Sequence, residues 1–287
     1  MQNIQFDRIG TKWSISIDSQ ISIESDILNL VEEFDKNYSR FRVDSLLYSL
    51  KNKVGVFQVG KEFVEILRIY FDFYNKTQGR FTPLSGIVLE DLGYDKDYSF
   101  WPKEKIRNIP GLEDSIQILS DEKIKVLKPI SLDFGGIGKG FLIDKIYNFL
   151  REKSIGEILI NGGGDIRFFS KKREYIDIGL ENPINADEVI GIYKLKSSMS
   201  ICGSSTLRRA WNGKNHIVDT VQEDSTKESL SSWIVSDNAT LSDLLATIFL
   251  IPGFEEFELP NNFEYLLIDS NMRAYHSDSF KDRLFDL

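Results

Sequence analysis

The chain has 287 residues with 41% hydrophobic and 12% aromatic content, enough for a large folded core and far from a disordered composition. Its formal net charge of −9 argues against a general nucleic-acid or anionic-membrane binder, which needs a basic face. One cysteine, Cys202, and two histidines, His216 and His276, exclude a disulfide framework, a cysteine–zinc cluster and a poly-histidine metal site, so any metal should be a hard cation on oxygen ligands.

The first residues, Met1 to Trp13, have neither a basic start nor an apolar run, and no later run is long enough to cross a bilayer; the expectation is a cytoplasmic chain without a membrane span. Trp13, Ile15 and Ile17 alternate as a strand entered through a Gly10-Thr11 turn. Ile27, Leu30, Val31 and Phe34 follow helical spacing, with Ser25 as the expected N-cap. Phe63, Ile66, Leu67, Tyr70 and Tyr74 predict a second amphipathic helix ending near Gly79. A hairpin is expected over 115–127, and Leu142, Ile146, Phe149 and Leu150 predict a helix that begins just after the glycines at 135–140. Strands follow at 157–161, 165–169, 175–179, 189–195 and 198–202, then a helix over 240–251, then strands at 264–268 and 272–276. Strands outnumber helices and do not alternate with them, so the fold class is α+β. No linker or repeat forces a boundary, and residues 1–287 are read as one domain.

Five segments are able to carry chemistry. Leu132-Asp133-Phe134-Gly135-Gly136-Ile137-Gly138-Lys139-Gly140 has glycines that let backbone approach a ligand, or that simply make a tight strand-to-helix turn; its spacing is not the Rossmann fingerprint. Asn161-Gly162-Gly163-Gly164-Asp165 between two strands is a structural hairpin or a ligand-contacting loop. Asp243 and Thr247 are four residues apart and share one helix face, where they supply two oxygen ligands to Mg²⁺ or form an ordinary polar face. His216 follows an Asn212-Gly213 turn and enters an apolar strand, as a base, a phosphate contact or a structural histidine. A base at this position should give a rate that rises with pH near about 6.5. Ser39-Arg40-Phe41-Arg42 offers an aromatic ring for a flat ligand and arginines for phosphate, or a solvated helix end.

The order of these segments is more telling than any one of them. Gly10-Thr11-x-Trp13, Ser39-Arg40-Phe41-Arg42, Gly79-Arg80-Phe81-Thr82-Pro83-Leu84, the glycine segment, Asn161-Gly162-Gly163-Gly164-Asp165, Asn215-His216-Ile217-Val218-Asp219 and Ser242-Asp243-Leu244-Leu245-Ala246-Thr247 together resemble the ApbE family of FAD:protein FMN transferases. The resemblance implies a T-fold-like α+β architecture, with two antiparallel sheets, helices, and FAD as substrate in a cleft between the halves. It implies Mg²⁺ held by Gly136, Asp243 and Thr247 with the Ala246 carbonyl nearby, and FAD contacts at Ile9, Phe41, Phe81, Thr82, Asp133, Lys139 and Ile217. His216 would be the base, with Asp243 as the alternative. The implied partner is an acceptor protein with an FMN-binding-type domain, whose Thr or Ser hydroxyl receives FMN as AMP leaves. The same site would also suit an FAD pyrophosphatase or a non-catalytic FAD binder. The chain departs from the family pattern in three places: Ile9 stands for Met, Thr82 for Asp, and the segment Thr220-Val221-Gln222-Glu223 loses the usual Pro and Thr-Gly.

Overall fold

The computed structural model describes residues 2–281 and 283–285. Its elements run β1 (Gln2–Arg8), β2 (Thr11–Ile17), α1 (Glu24–Tyr38), α2 (Leu46–Ser49), β3 (Gly55–Gln58), α3 (Lys61–Lys76), α4 (Gly86–Asp91), β4 (Ile116–Ile118) and β5 (Lys123–Val126). They continue with α5 (Gly138–Glu152), β6 (Glu157–Gly162), β7 (Asp165–Ser170), β8 (Tyr175–Glu181), β9 (Val189–Lys196) and β10 (Ser200–Ser205). Four two-residue strands follow, β11 (Ala210–Trp211), β12 (Lys214–Asn215), β13 (Val218–Asp219) and β14 (Asp224–Ser225). The last elements are β15 (Ser229–Ser236), α6 (Ala239–Ile248), β16 (Glu264–Asp269) and β17 (Ala274–His276).

The class is α+β, and every strand pairing is antiparallel. The main sheet has eight strands in the order β1-β2-β6-β7-β10-β15-β16-β17, and β3-β5-β4 form a smaller sheet. Helices α5 and α6 cross each other on one face of the main sheet, where Ile15, Ile17, Ile158 and Ile160 meet Leu142, Ile146, Leu244 and Leu245 in the larger core. The β8–β9 ribbon covers the other face through Leu180, Ile190 and Leu195 against Ile201, Val235 and Leu266. Among the described residues no helix is long and apolar enough to cross a membrane.

Several boundaries differ from the sequence expectation for physical reasons. The cap of α1 is the buried Ile23, not Ser25; no side chain caps this end, and Glu24 and Asp26 in the first turn answer the helix dipole instead. Helix α5 starts inside the glycine run, at Gly138, and carries Gly140 into the α5–α6 crossing, where a Cβ would lie 2.2 Å from the Ala239 carbonyl oxygen and 2.7 Å from Asp243 Cβ. Strand β10 extends to Ser205, α6 stops at Ile248, and β17 begins only at Ala274. Sequence reading missed β15, whose Ser229, Ser231, Ser232 and Ser236 are buried on both faces and so show no apolar alternation. It also missed β1, β3 and the short helices α2 and α4.

Candidate active site

Two adjoining cavities, of about 570 and 400 Å³, make one cleft and share Gly10, Phe41, Tyr94, Asp133, Lys139 and Arg209 on their walls. This is the size range of small-molecule sites. The larger chamber is aromatic, with Phe41, Tyr94, Tyr98, Phe100 and Trp211 around it. Phe41 stacks on Tyr98 at 5.0 Å with 7° between the ring planes, and meets Tyr94 edge-on. Ile9 reaches this chamber from the β1–β2 turn, where it and Gly10 both have positive φ, of 54° and 67°. Such a turn matches the strand twist but strains a β-branched residue.

The smaller chamber is polar. Gly136, His216, Ile217, Asp243, Thr247, Phe81 and Thr82 line it, so the cleft gathers all the residues expected to bind FAD or metal, except Ala246. Ala246 is fully buried, and its carbonyl accepts a hydrogen bond from Ser232 Oγ at 2.6 Å instead of facing the cavity. The hydroxyl of Thr82 caps the next turn by accepting from Leu84 N, and Ile217 N is held by Asn215 Oδ1. Gly136 also has a packing reason to be small: a Cβ there would meet the Phe81 ring at 2.9 Å and Tyr70 Oη at 3.4 Å. Phe81 and Tyr70 are stacked at 5.0 Å, so the glycine accommodates a packed aromatic pair.

The floor of the polar chamber is a buried charge triad. Lys139 Nζ lies between Asp165 and Asp243, donating to Asp243 Oδ1 at 2.9 Å. Both carboxylates are only 1% exposed. Gly140 N donates to Asp243 Oδ2 at 2.8 Å, and Gly203 N to Asp165 Oδ1 at 3.0 Å. Burial drives the Asp243 carboxyl upward and the nearby Asp165 charge adds to it, while Lys139 opposes both; the outcome is a value of about 6. Burial opposes the Lys139 charge, yet the two carboxylates outweigh it and hold its pKa above the ordinary value. Helix α6 is aimed at this point by Asp144, which accepts from the backbone N–H groups of Ala239 and Thr240 and pairs with Arg167, and by the Asn238 cap on Leu241 N.

His216 is shaped by its surroundings. Burial, followed by the positive charges of Arg209 and Lys139, pushes His216 down to about 3 in the ligand-free cleft, so its imidazole is neutral there throughout the physiological range. Its Nδ1 is buried without a hydrogen-bond partner. The altered 220–223 segment forms a closed hairpin: β13 pairs with β14, Asp219 Oδ1 accepts from Val221 N at 2.9 Å, and Glu223 Oε1 accepts from Ile109 N.

Sequence reasoning missed Asp165 as a partner of Lys139, the aromatic wall from Tyr94 to Phe100, and Arg209. Asp165 closes the triple-glycine run and Arg209 stands in a pair of arginines, but only the fold shows that both reach Lys139 or His216. The cleft also tests Mg²⁺. Among the described residues no group of three or more His, Cys, Asp or Glu side chains is placed to hold a metal ion, so a metal must be completed by hydroxyl, backbone, water or ligand oxygens. That is the habit of Mg²⁺, and each oxygen of Asp243 accepts only one hydrogen bond and keeps a lone pair.

A family model described as "ApbE family" matches residues 9–264. The chain is 23% identical over 258 residues to an FAD:protein FMN transferase of Treponema pallidum (strain Nichols), covering 80% of this chain and 71% of that protein. It is 28% identical over 133 residues to one of Klebsiella pneumoniae (strain 342), covering 44% of this chain and 40% of that protein. Its fold is similar to the ApbE protein from Thermotoga maritima, at 21% identity and a TM-score of 0.86 over 99% of both chains. It is also similar to the flavin transferase ApbE from Vibrio cholerae, at 19% identity and a TM-score of 0.77 over 99% of both.

Proposed function

We propose that this chain, which belongs to the ApbE family, transfers the FMN half of FAD to a Thr or Ser hydroxyl of an acceptor protein and releases AMP. The observation that supports it best is the pairing of an aromatic chamber with a polar one in a single cleft, which suits a dinucleotide with flat rings and a diphosphate. The rings would lie against Phe41 and its aromatic neighbours, and the diphosphate beside Lys139, Arg209 and His216. Among the described residues Arg209 has no carboxylate partner within 4 Å, so it is available to an anion.

Asp243, Thr247 and the Gly136 carbonyl would hold Mg²⁺, which when bound supplies charge neutralisation at the diphosphate. The acceptor oxygen attacks the phosphorus on the flavin side; the bond from that phosphorus to the bridging oxygen breaks, and AMP leaves with the bridging oxygen. His216 takes the hydroxyl proton. Two of the causes that depress its pKa are the cations Arg209 and Lys139, and a bound diphosphate offsets both, so the imidazole becomes a stronger base when substrate is in place. Lys139 holds Asp243 and Asp165 in position, and the lone pairs that Asp243 keeps are assigned to the metal, which leaves the proton to His216.

Incubation with FAD and Mg²⁺, with and without an FMN-binding acceptor domain, tests the proposal. AMP release that requires the acceptor supports transfer. Release without acceptor means a pyrophosphatase, and tight FAD binding without release means a binder.

A further inference from the structure

Arg40 is the most unusual side chain in the cleft. It is a charged residue only 7% exposed, on the wall of the aromatic chamber. Its guanidinium lies over the Phe41 ring at 4.1 Å and the Tyr94 ring at 4.8 Å, which favours a planar cation at this place. Its Nε is 2.6 Å from Asp133 Oδ2, an ion pair without hydrogen-bond geometry, and Nε and Nη2 are both buried with no acceptor. A buried donor left unmet is costly, and Nη2, which has no acceptor, marks a place where one is to be supplied. Neighbouring Arg42 is no rival, because Glu32, Asp35 and Asp44 take up its guanidinium outside the cleft.

We propose that Arg40 recognises the hydrogen-bonding edge of a planar heterocycle bound in the aromatic chamber, and so sets which ring system the cleft accepts. This rests on the reading of the cleft as an FAD site. A phosphate is the less fitting ligand for Arg40, since Gly136, His216, Asp243 and Thr247 line the adjoining chamber, which Arg40 does not reach. A ring is the better match: Arg40 offers donors beside the Asp133 carboxylate, a donor–acceptor pair for a heterocycle edge that carries acceptor and N–H side by side. Both rings of FAD, the isoalloxazine and the adenine, present such an edge. Tyr98 and Phe100, which line the same chamber, hold positive φ, 50° and 54°, a strained conformation of the kind that clusters at ligand sites.

The test is calorimetric binding of FAD, FMN and ADP to the wild-type protein, Arg40→Lys and Arg40→Met. Arg40→Lys keeps a cation beside Asp133 and loses the planar fork; Arg40→Met loses both. The expected result is FAD binding weakened roughly 10- to 100-fold in each variant. The same loss should appear with one half of the ligand and not the other: with FMN if the flavin ring lies in the chamber, with ADP if the adenine does. A general collapse would weaken both halves together and overturn the proposal, as would unchanged affinities in folded variants. If Arg40→Met does not fold, the lysine variant decides alone. A wild-type protein that binds none of the three ligands overturns the FAD reading itself; one that binds FAD while the variants match it overturns only the role of Arg40.

Discussion

Replacing Lys139 by Met should destabilise the protein strongly, and more so at high pH. The substitution removes the ammonium between Asp165 and Asp243 and leaves two carboxylates, each 1% exposed, with one backbone N–H apiece. Stripping one partner from a buried ion pair costs about 3–5 kcal/mol. Here the Lys139 side chain keeps 21% of its exposure and a carboxyl can take up a proton, so the expectation is the lower figure, about 3 kcal/mol at pH 8. For a chain of this size that lowers Tm by about 5 °C. The pH dependence follows from Asp243, already raised to about 6 by burial and by Asp165, and raised further once Lys139 is gone. A carboxyl whose pKa is higher in the folded state binds more protons there than in the unfolded chain. Its contribution is therefore complete below the unfolded value of about 4 and is lost as pH rises through the folded value. In the variant that window extends above the wild-type value, so the gap between the two proteins should be widest at pH 8 and narrow toward pH 5. Urea unfolding at pH 5, 6.5 and 8 measures it. A gap below about 1 kcal/mol at pH 8, or one that is equal at pH 5 and pH 8, refutes the triad argument.

Asp243→Asn keeps the shape of the side chain and removes its charge; Mg²⁺-dependent AMP release should disappear while FAD affinity stays within a few-fold, measured by titrating Mg²⁺ at saturating FAD. His216→Gln should fold and bind FAD yet lose roughly 10²–10⁴-fold in rate, and wild-type kcat/KM should show no imidazole inflection between pH 5.5 and 8, since burial and two cations hold His216 near 3 in the free protein. An inflection near 6.5 that vanishes in the glutamine variant would contradict this. Gly136→Val forces apart the Phe81–Tyr70 pair, with a Cβ only 2.9 Å from Phe81, and should cost about 1–3 kcal/mol in stability together with weaker FAD binding. Unchanged melting temperature and affinity would show that the aromatic pair can shift freely.

What could be read in advance depended on whether a residue's role is local or created by the fold. Trp13, Ile15 and Ile17 declare a half-buried strand by alternation alone, and Phe63 to Tyr74 declare a helix by spacing. Asp243 and Thr247 share a helix face at any tertiary arrangement, so that pair was legible as a possible ligand set. Asp165 was not, because its partner Lys139 lies far away in sequence and meets it only across the α5–β7 packing. Strand β15 gave no signal because serines are buried there against hydrogen-bond partners such as the Ala246 carbonyl, which also withdraws that carbonyl from the cavity. The histidine's position was legible while its chemistry was not: a pKa depends on burial and on Arg209 and Lys139, brought near by the chain fold.

The most direct measurement is the intact mass of an FMN-binding acceptor domain after incubation with this protein, FAD and Mg²⁺, alongside an acceptor whose candidate Thr or Ser is replaced by Ala. The account predicts that the native acceptor gains one FMN through a phosphoester, less one water, with one AMP released per acceptor, and that the alanine acceptor gains nothing. An acceptor that stays unmodified while FAD is split or merely bound would contradict it.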